Sequence, residues 1–218
     1  YLDSVERAKP PLNLACQVGH GTVRSCVVGL DARAPTPEEQ DRMRGLVEES
    51  LDAGAMGLST GLFYDPGNYA RLEEVIDLNT VTADRGKVYS THVRDEGAHS
   101  VGLFVALNEA IEVSRRTGVR LELSHVKCVG PTVYGRAGDV LDLIERAVAE
   151  GLDVAGDQYP YTASSTHLSG ALFPRWSLDG GRASALERMN DKRTRERIKD
   201  GINYIYEKNR SAEGVVMA

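Results

Sequence analysis

From residue 37 to residue 157 the chain alternates two textures. Stretches whose apolar residues recur every three or four positions end at a glycine, and each glycine opens a short apolar run. The glycines are Gly54, Gly86, Gly118 and Gly151, spaced by 32, 32 and 33 residues. They close LVEESLDAG, NTVTADRG, EVSRRTG and RAVAEG, and lead into AMGLS, KVYSTH, VRLELSH and LDVAGD. Glycine suits the left-handed residue just past a helix, so each unit is predicted as helix, glycine stop, strand.

Other signals fill in the boundaries. A strand is predicted over 12–18, closing at Gly19-His20-Gly21. Thr36-Pro37-Glu38-Glu39 opens the first helix with a capping residue, a first-turn proline and a glutamate three residues after the cap. Met43, Leu46, Val47 and Leu51 then lie on one stripe. Strands follow at 55–59, 87–92, 119–125 and 152–157, with helices at 70–85, 100–117 and 138–150. The loop after the second strand carries Phe63, Tyr64, Asp65, Pro66 and Gly67. The opening YLDSVERAK reads as the tail of a helix rather than a signal peptide.

Five strands alternating with four helices imply a parallel sheet. An open doubly wound sheet concentrates its polar residues at a switch point, whereas a barrel spreads them around one rim. Thr60, His92, His125 and Asp157 each end a strand, which favours the barrel. A complete (β/α)₈ barrel needs about 250 residues, so the fold class is α/β, a partial TIM barrel. After Tyr161 the rhythm changes. Residues 1–166 are assigned to the barrel and 167–218 to a helical insertion or subdomain, in which 213–218 starts another strand. The charged run Asp191-Lys-Arg-Thr-Arg-Glu-Arg interleaves acids with bases and reads as a solvated helix face.

Composition narrows the function classes. A net charge of −6 argues against nucleic acid or an anionic membrane as partner, and no run of about 18 apolar residues exists. Cys16, Cys26 and Cys128 have no paired spacing, as expected of free thiols in a cytoplasmic protein.

Two constellations compete for the chemistry. His92 and His125 stand 33 residues apart, six and seven residues after their glycines, and so end neighbouring strands. Parallel strands lie about 4.8 Å apart, which lets two imidazoles converge on one metal ion. Gly57-Leu58-Ser59-Thr60-Gly61 matches the G-x-S-x-G nucleophile elbow, although Phe63 to Gly67 separates Ser59 from the next helix, which the elbow does not allow. His20, His99 and His167 lack the register of the other two histidines and read as structural or exposed.

GHGTVR at 19–24, GAMGLSTGLFYDPGNYA at 54–70, YSTHVRDEG at 89–97, LSHVKC at 123–128 and DQYPYTASST at 157–166 resemble the N-acyl-D-amino-acid deacylases of the amidohydrolase superfamily. The likeness runs in order over nearly the whole chain and is weakest from Gly180 onward. It implies that the strands are about numbers 3–7 of the barrel, with His92 and His125 the metal histidines of the fifth and sixth. It implies that Lys127 contacts the carboxylate of a small-molecule N-acyl amino acid, and that Tyr159, Ser165 and Tyr64 line the same pocket. The implied cofactor is zinc, one or two ions, and the implied reaction is hydrolysis of the amide to a carboxylate and a D-amino acid. The family's first-strand His-x-His, its cysteine ligand and the catalytic aspartate of its last strand have no counterpart in this sequence, so no catalytic base is assigned within it. Lys127 lies two residues from His125, which on a strand puts both on one face. A serine hydrolase built on Ser59, or an amidohydrolase acting on a cyclic amide, are the alternatives.

Overall fold

The computed structural model describes residues 2–209. Its elements run α1 (Leu2–Ala8), β1 (Val18–Gly19), α2 (His20–Val27), α3 (Pro37–Asp52), β2 (Gly57–Gly61), α4 (Leu72–Asp84), β3 (Val88–His92), α5 (Leu103–Thr117), β4 (Arg120–Leu123), α6 (Ala137–Ala149), β5 (Val154–Gly156), α7 (Leu168–Leu172), α8 (Gly181–Asn190) and α9 (Lys192–Asn209). The five strands form one parallel sheet in sequence order. The strand expected at 213–218 lies outside the described residues.

Local chemistry explains the frame. The Thr36 hydroxyl accepts from the Glu39 N–H at 3.2 Å, and the Glu39 carboxylate accepts from the Thr36 N–H at 2.8 Å. This capping box starts α3 one residue later, with Pro37 at its first position. Gly54, Gly86, Gly118 and Gly151 all take positive φ, of 109°, 62°, 73° and 90°. A side chain there would clash with the following backbone, so glycine is what lets each helix turn back into the next strand.

Packing follows from the register. Leu58, Tyr89, Leu121 and Val154 are successive partners across β2 to β5, and all are buried beneath the helices. Each such side chain contributes about 1.5–3 kcal/mol through burial. The Thr60 hydroxyl meets Thr91 Oγ1 at 2.7 Å and the Tyr89 hydroxyl at 3.1 Å, so the polar atoms on this face are paired. One position on, Ser59, Ser90, Glu122 and Ala155 form the next row, directed to the opposite face. That alternation gives the sheet an apolar helix-covered side and a small, polar side.

Three expectations need correction. The first strand is only Val18–Gly19; Leu12 and Leu14 are largely exposed, because among the described residues no strand pairs on that side of β1. The turn at Gly19-His20-Gly21 is instead the start of α2. β4 stops at Leu123, so His125 lies beyond the strand rather than at its last position. Helices resume at Leu168, and this segment is tied to the loop between α2 and α3 by Asp179, which accepts from the Ala32 N–H at 2.7 Å, and by the Gly180 N–H, which donates to Leu30 O at 3.1 Å. Among the described residues no helix is long and apolar enough to cross a membrane.

A Cβ added to Gly57 would lie 1.9 Å from Val88 O, whereas one on Gly45 within α3 would meet nothing within 4 Å. Gly57→Ala is therefore expected to lower stability by about 3 kcal/mol, and Gly45→Ala to raise it by about 0.5–1 kcal/mol. Urea denaturation of both variants checks the β2–β3 register; equal effects would contradict it.

Candidate metal centre

His92 ends β3 opposite Gly61, the last residue of β2. The loop that follows is organised by Asp95, which has no exposed surface. Its carboxylate accepts from the N–H groups of Gly97 (2.9 Å), His99 (3.3 Å), Ser100 (2.5 Å) and Gly102 (3.0 Å), and from the Ser100 hydroxyl (3.2 Å). Burial alone would raise the Asp95 pKa, but hydrogen bonds from His99, Ser100, Gly102 and Gly97 outweigh it and hold the carboxyl well below its usual range. Arg94, next to it, forks onto Glu109 of α5 and donates to the carbonyls of Asn68 and Ala70, joining the loops after β2 and β3.

The second histidine is set by a different device. His125 adopts φ +44°, rare for a residue with a side chain and most often found at functional turns. Asp157, just past β5, holds it there. Asp157 Oδ1 accepts from the His125 N–H at 2.5 Å, its carbonyl accepts from the Val126 N–H at 2.9 Å, and its own N–H donates to Leu123 O at 3.1 Å.

The two loops bring the rings together. His92 Nδ1 lies 3.0 Å from His125 Nε2. Two nitrogens each about 2.0–2.1 Å from one zinc ion stand about 3.3 Å apart in a tetrahedron, so the pair fits a shared metal. Burial, then the neighbouring His125 and Lys127, push the His92 pKa down to about 3, which keeps the ring neutral and its lone pair available. Lys127 Nζ lies 2.7 Å from His125 Nδ1 and 2.8 Å from its carbonyl, on the same side as the imidazole. Strand alternation is not the cause, because β4 has ended; the left-handed turn at His125 is.

Glu96 was not singled out by the sequence, yet it sits at the centre. Its Oε1 lies 3.2 Å from His125 Nδ1 and 3.8 Å from His92 Nε2, and pairs with Lys127 Nζ. His92, Glu96 and His125 are a group whose ligand atoms lie within 4.8 Å of one another. The available signal was its position four residues after His92, beside Asp95.

Of the other expected residues, Tyr64 packs its ring 5.0 Å from His92 and bonds Thr166 through its hydroxyl at 2.9 Å. Phe63 stands 5.7 Å from the same imidazole, so aromatic rings wall it on that side. Tyr159 lies beneath the Lys127 ammonium, 5.6 Å from it. Ser165 is exposed in the segment after β5, next to Thr166, the partner of the Tyr64 hydroxyl. Ser59 Oγ donates to Val18 O at 3.4 Å, and β2 runs into a turn and a short 3₁₀ segment before α4, so no nucleophile elbow stands there. His20, expected in a turn, is fully buried with its Nε2 2.8 Å from Glu74 Oε1, while Arg24 Nη1 donates to Glu74 Oε2 at 2.6 Å. His167 caps α7 by accepting from the Gly170 N–H at 2.9 Å.

Asp95→Asn is expected to cost about 3 kcal/mol at pH 7, since an amide cannot accept from all those donors. A carboxyl whose pKa is depressed in the folded state stabilises above its unfolded value, near 3.9, and loses that contribution as pH falls below it. The gap between the native protein and the variant should therefore narrow by about 1 kcal/mol between pH 7 and pH 3. Urea denaturation at both values checks this; a constant gap would place the Asp95 charge outside the fold's energetics.

No protein-family model matches the chain. A D-aminoacylase from Alcaligenes xylosoxydans xylosoxydans is 43% identical over 168 residues, which are 77% of this chain and 34% of that protein. Among solved structures, a D-aminoacylase described for its binuclear metal centre superposes with a TM-score of 0.74 at 34% identity, covering 92% of this chain and 44% of that one. An N-acyl-D-glutamate deacylase from Bordetella bronchiseptica, complexed with zinc and a phosphonate mimic of the tetrahedral intermediate, gives a TM-score of 0.72 at 31% identity over 94% of this chain and 48% of that one. The chain spans about a third of the length of the curated relative, and its five strands are part of an amidohydrolase TIM barrel. Shared identity over three quarters of the chain and a shared fold make it a member of the N-acyl-D-amino-acid deacylase family of metal-dependent amidohydrolases.

Proposed function

We propose that the protein, at the full length of its relatives, is a metal-dependent hydrolase of N-acyl-D-amino acids. The observation that carries this reading is the facing pair His92 Nδ1 and His125 Nε2, 3.0 Å apart, with a lysine two residues beyond. His92 and His125 would hold zinc, as one or two ions in the complete centre. Zinc supplies Lewis acidity there, polarising a carbonyl and bringing the pKa of water to about 7.

The chain's own residues do the rest of the work assigned to them. Lys127 takes the α-carboxylate of the substrate in a charge-assisted hydrogen bond, which orients the scissile amide toward the histidines. Tyr159 packs under that ammonium, and Tyr64 with Phe63 excludes water from the His92 side. Ser165 lends a hydroxyl from the segment after β5. The base that takes the proton of water and returns it to the leaving amine belongs to the last barrel strand of the family, outside these residues. The free carboxylate recognised by Lys127 favours linear N-acyl amino acids over cyclic amides. We place the protein in the cytoplasm, a reading supported by Cys16, Cys26 and Cys128, all free thiols.

In the full-length protein, chelation should abolish deacylase activity and added zinc should restore it. His125→Ala should lower kcat/KM at least about a hundredfold, while Ser59→Ala changes it little; inactivation by Ser59→Ala with the metal retained would favour a serine nucleophile. The 218-residue chain expressed alone is expected to be inactive and to self-associate, because β1 and β5 each present an edge with no strand partner among the described residues. Light scattering with a zinc-supplemented assay checks both, and a monodisperse active monomer is the contradicting result.

A further inference from the structure

We propose that Glu96 is a positioning residue that sets both His125 and Lys127, standing behind the metal ligands rather than among them. The proposal rests on the metal-dependent reading above. Each imidazole has two nitrogens, and the structure separates their roles. His92 Nδ1 and His125 Nε2 face each other at 3.0 Å. The remaining pair, His125 Nδ1 and His92 Nε2, both face one oxygen, Glu96 Oε1, at 3.2 and 3.8 Å. A cation held between the first pair makes each of the second pair an N–H donor, and a carboxylate is the usual acceptor behind a metal-bound histidine. His92 Nε2 is buried and has no hydrogen-bond partner; Glu96 is the acceptor nearest to filling that need.

Charge rules out the opposite arrangement. A cation bound by Glu96 together with His92 Nε2 and His125 Nδ1 would share its place with the Lys127 ammonium, which already lies 2.7 Å from His125 Nδ1 and pairs with the same carboxylate oxygen. Two positive charges at that separation repel strongly in a partly buried site. Glu96 is thus the counter-charge of Lys127, and it keeps the ammonium beside the centre once His125 Nδ1 carries a proton and no longer accepts.

The backbone around Glu96 is built for placement. On one side, Asp95 gathers four loop N–H groups into a fully buried carboxylate. On the other, a Cβ at Gly97 would lie 2.1 Å from Val129 O, so only glycine allows the two loops to touch. The Val129 N–H then donates to Glu96 O at 2.8 Å, locking the Glu96 loop to the turn that carries His125 and Lys127.

The test uses Glu96→Gln, Lys127→Met and the double variant in the full-length protein. Zinc affinity is read by chelator competition, and kcat and KM with an N-acyl-D-amino acid. Glu96→Gln should weaken zinc binding 10–100-fold and raise KM, with kcat at saturating zinc and substrate less affected. Lys127→Met should raise KM and leave zinc affinity unchanged. In the double variant the KM increase should be no larger than that of Lys127→Met, because Glu96 acts on substrate only through the lysine. Unchanged zinc affinity in Glu96→Gln overturns the proposal, and so does a lowered melting temperature as its sole effect, which would make the residue merely structural. Should no N-acyl-D-amino acid be turned over, the proposed activity falls, and the zinc competition, which needs no substrate, still decides the role of Glu96.

Discussion

Level strand ends are the constraint on which this structure depends. Parallel strands in sequence order reach the same height only if every helix-and-return unit spends nearly the same length, and glycines spaced by 32, 32 and 33 residues impose that. Each sits at positive φ where the chain leaves a helix, so the return is tight and its length does not drift. Gly57 against Val88 O shows how closely β2 and β3 then run. With Gly61 opposite His92, and Ser124 bonded through its N–H to Thr91 O at 3.1 Å, the loops after β3 and β4 start at one level and their side chains meet.

Above that frame, two carboxylates, one fully buried and one exposed, convert loop ends into a fixed site. Backbone N–H groups donate to both Asp95 and Asp157, and in return each acid dictates the course of a loop. His92 emerges neutral because its surroundings are buried and carry positive charge nearby. Lys127 and Glu96 then form the charged half of the site, a few ångströms from the neutral half. The division suits a centre in which one set of atoms holds a cation and another handles the charge of a small anionic substrate.

Much of this was legible in the residues, for identifiable reasons. Helix stops and the α3 cap are written in single residues with narrow conformational ranges, so Gly54, Gly86, Gly118, Gly151 and Thr36 were readable one at a time. His92 and His125 were readable because a repeat makes equivalence visible. α2 was missed because its support is distant: His20 and Arg24 are held by Glu74, 54 and 50 residues on. The left-handed turn at His125 depends on Asp157, some thirty residues away, and nothing local announces it. Glu96 escaped for a related reason. Acids after a strand end are ordinarily solvated, and only the close approach permitted by Gly97 turns this one toward the histidines.

The central claim is that His92 and His125 share one metal ion through the two nitrogens that face each other. Anomalous diffraction at the zinc absorption edge, on crystals of the zinc-loaded full-length protein, addresses it directly. The expected result is a peak about 2.0–2.1 Å from both His92 Nδ1 and His125 Nε2. A peak bonded instead to His92 Nε2 and His125 Nδ1, or one that involves neither histidine, would contradict it.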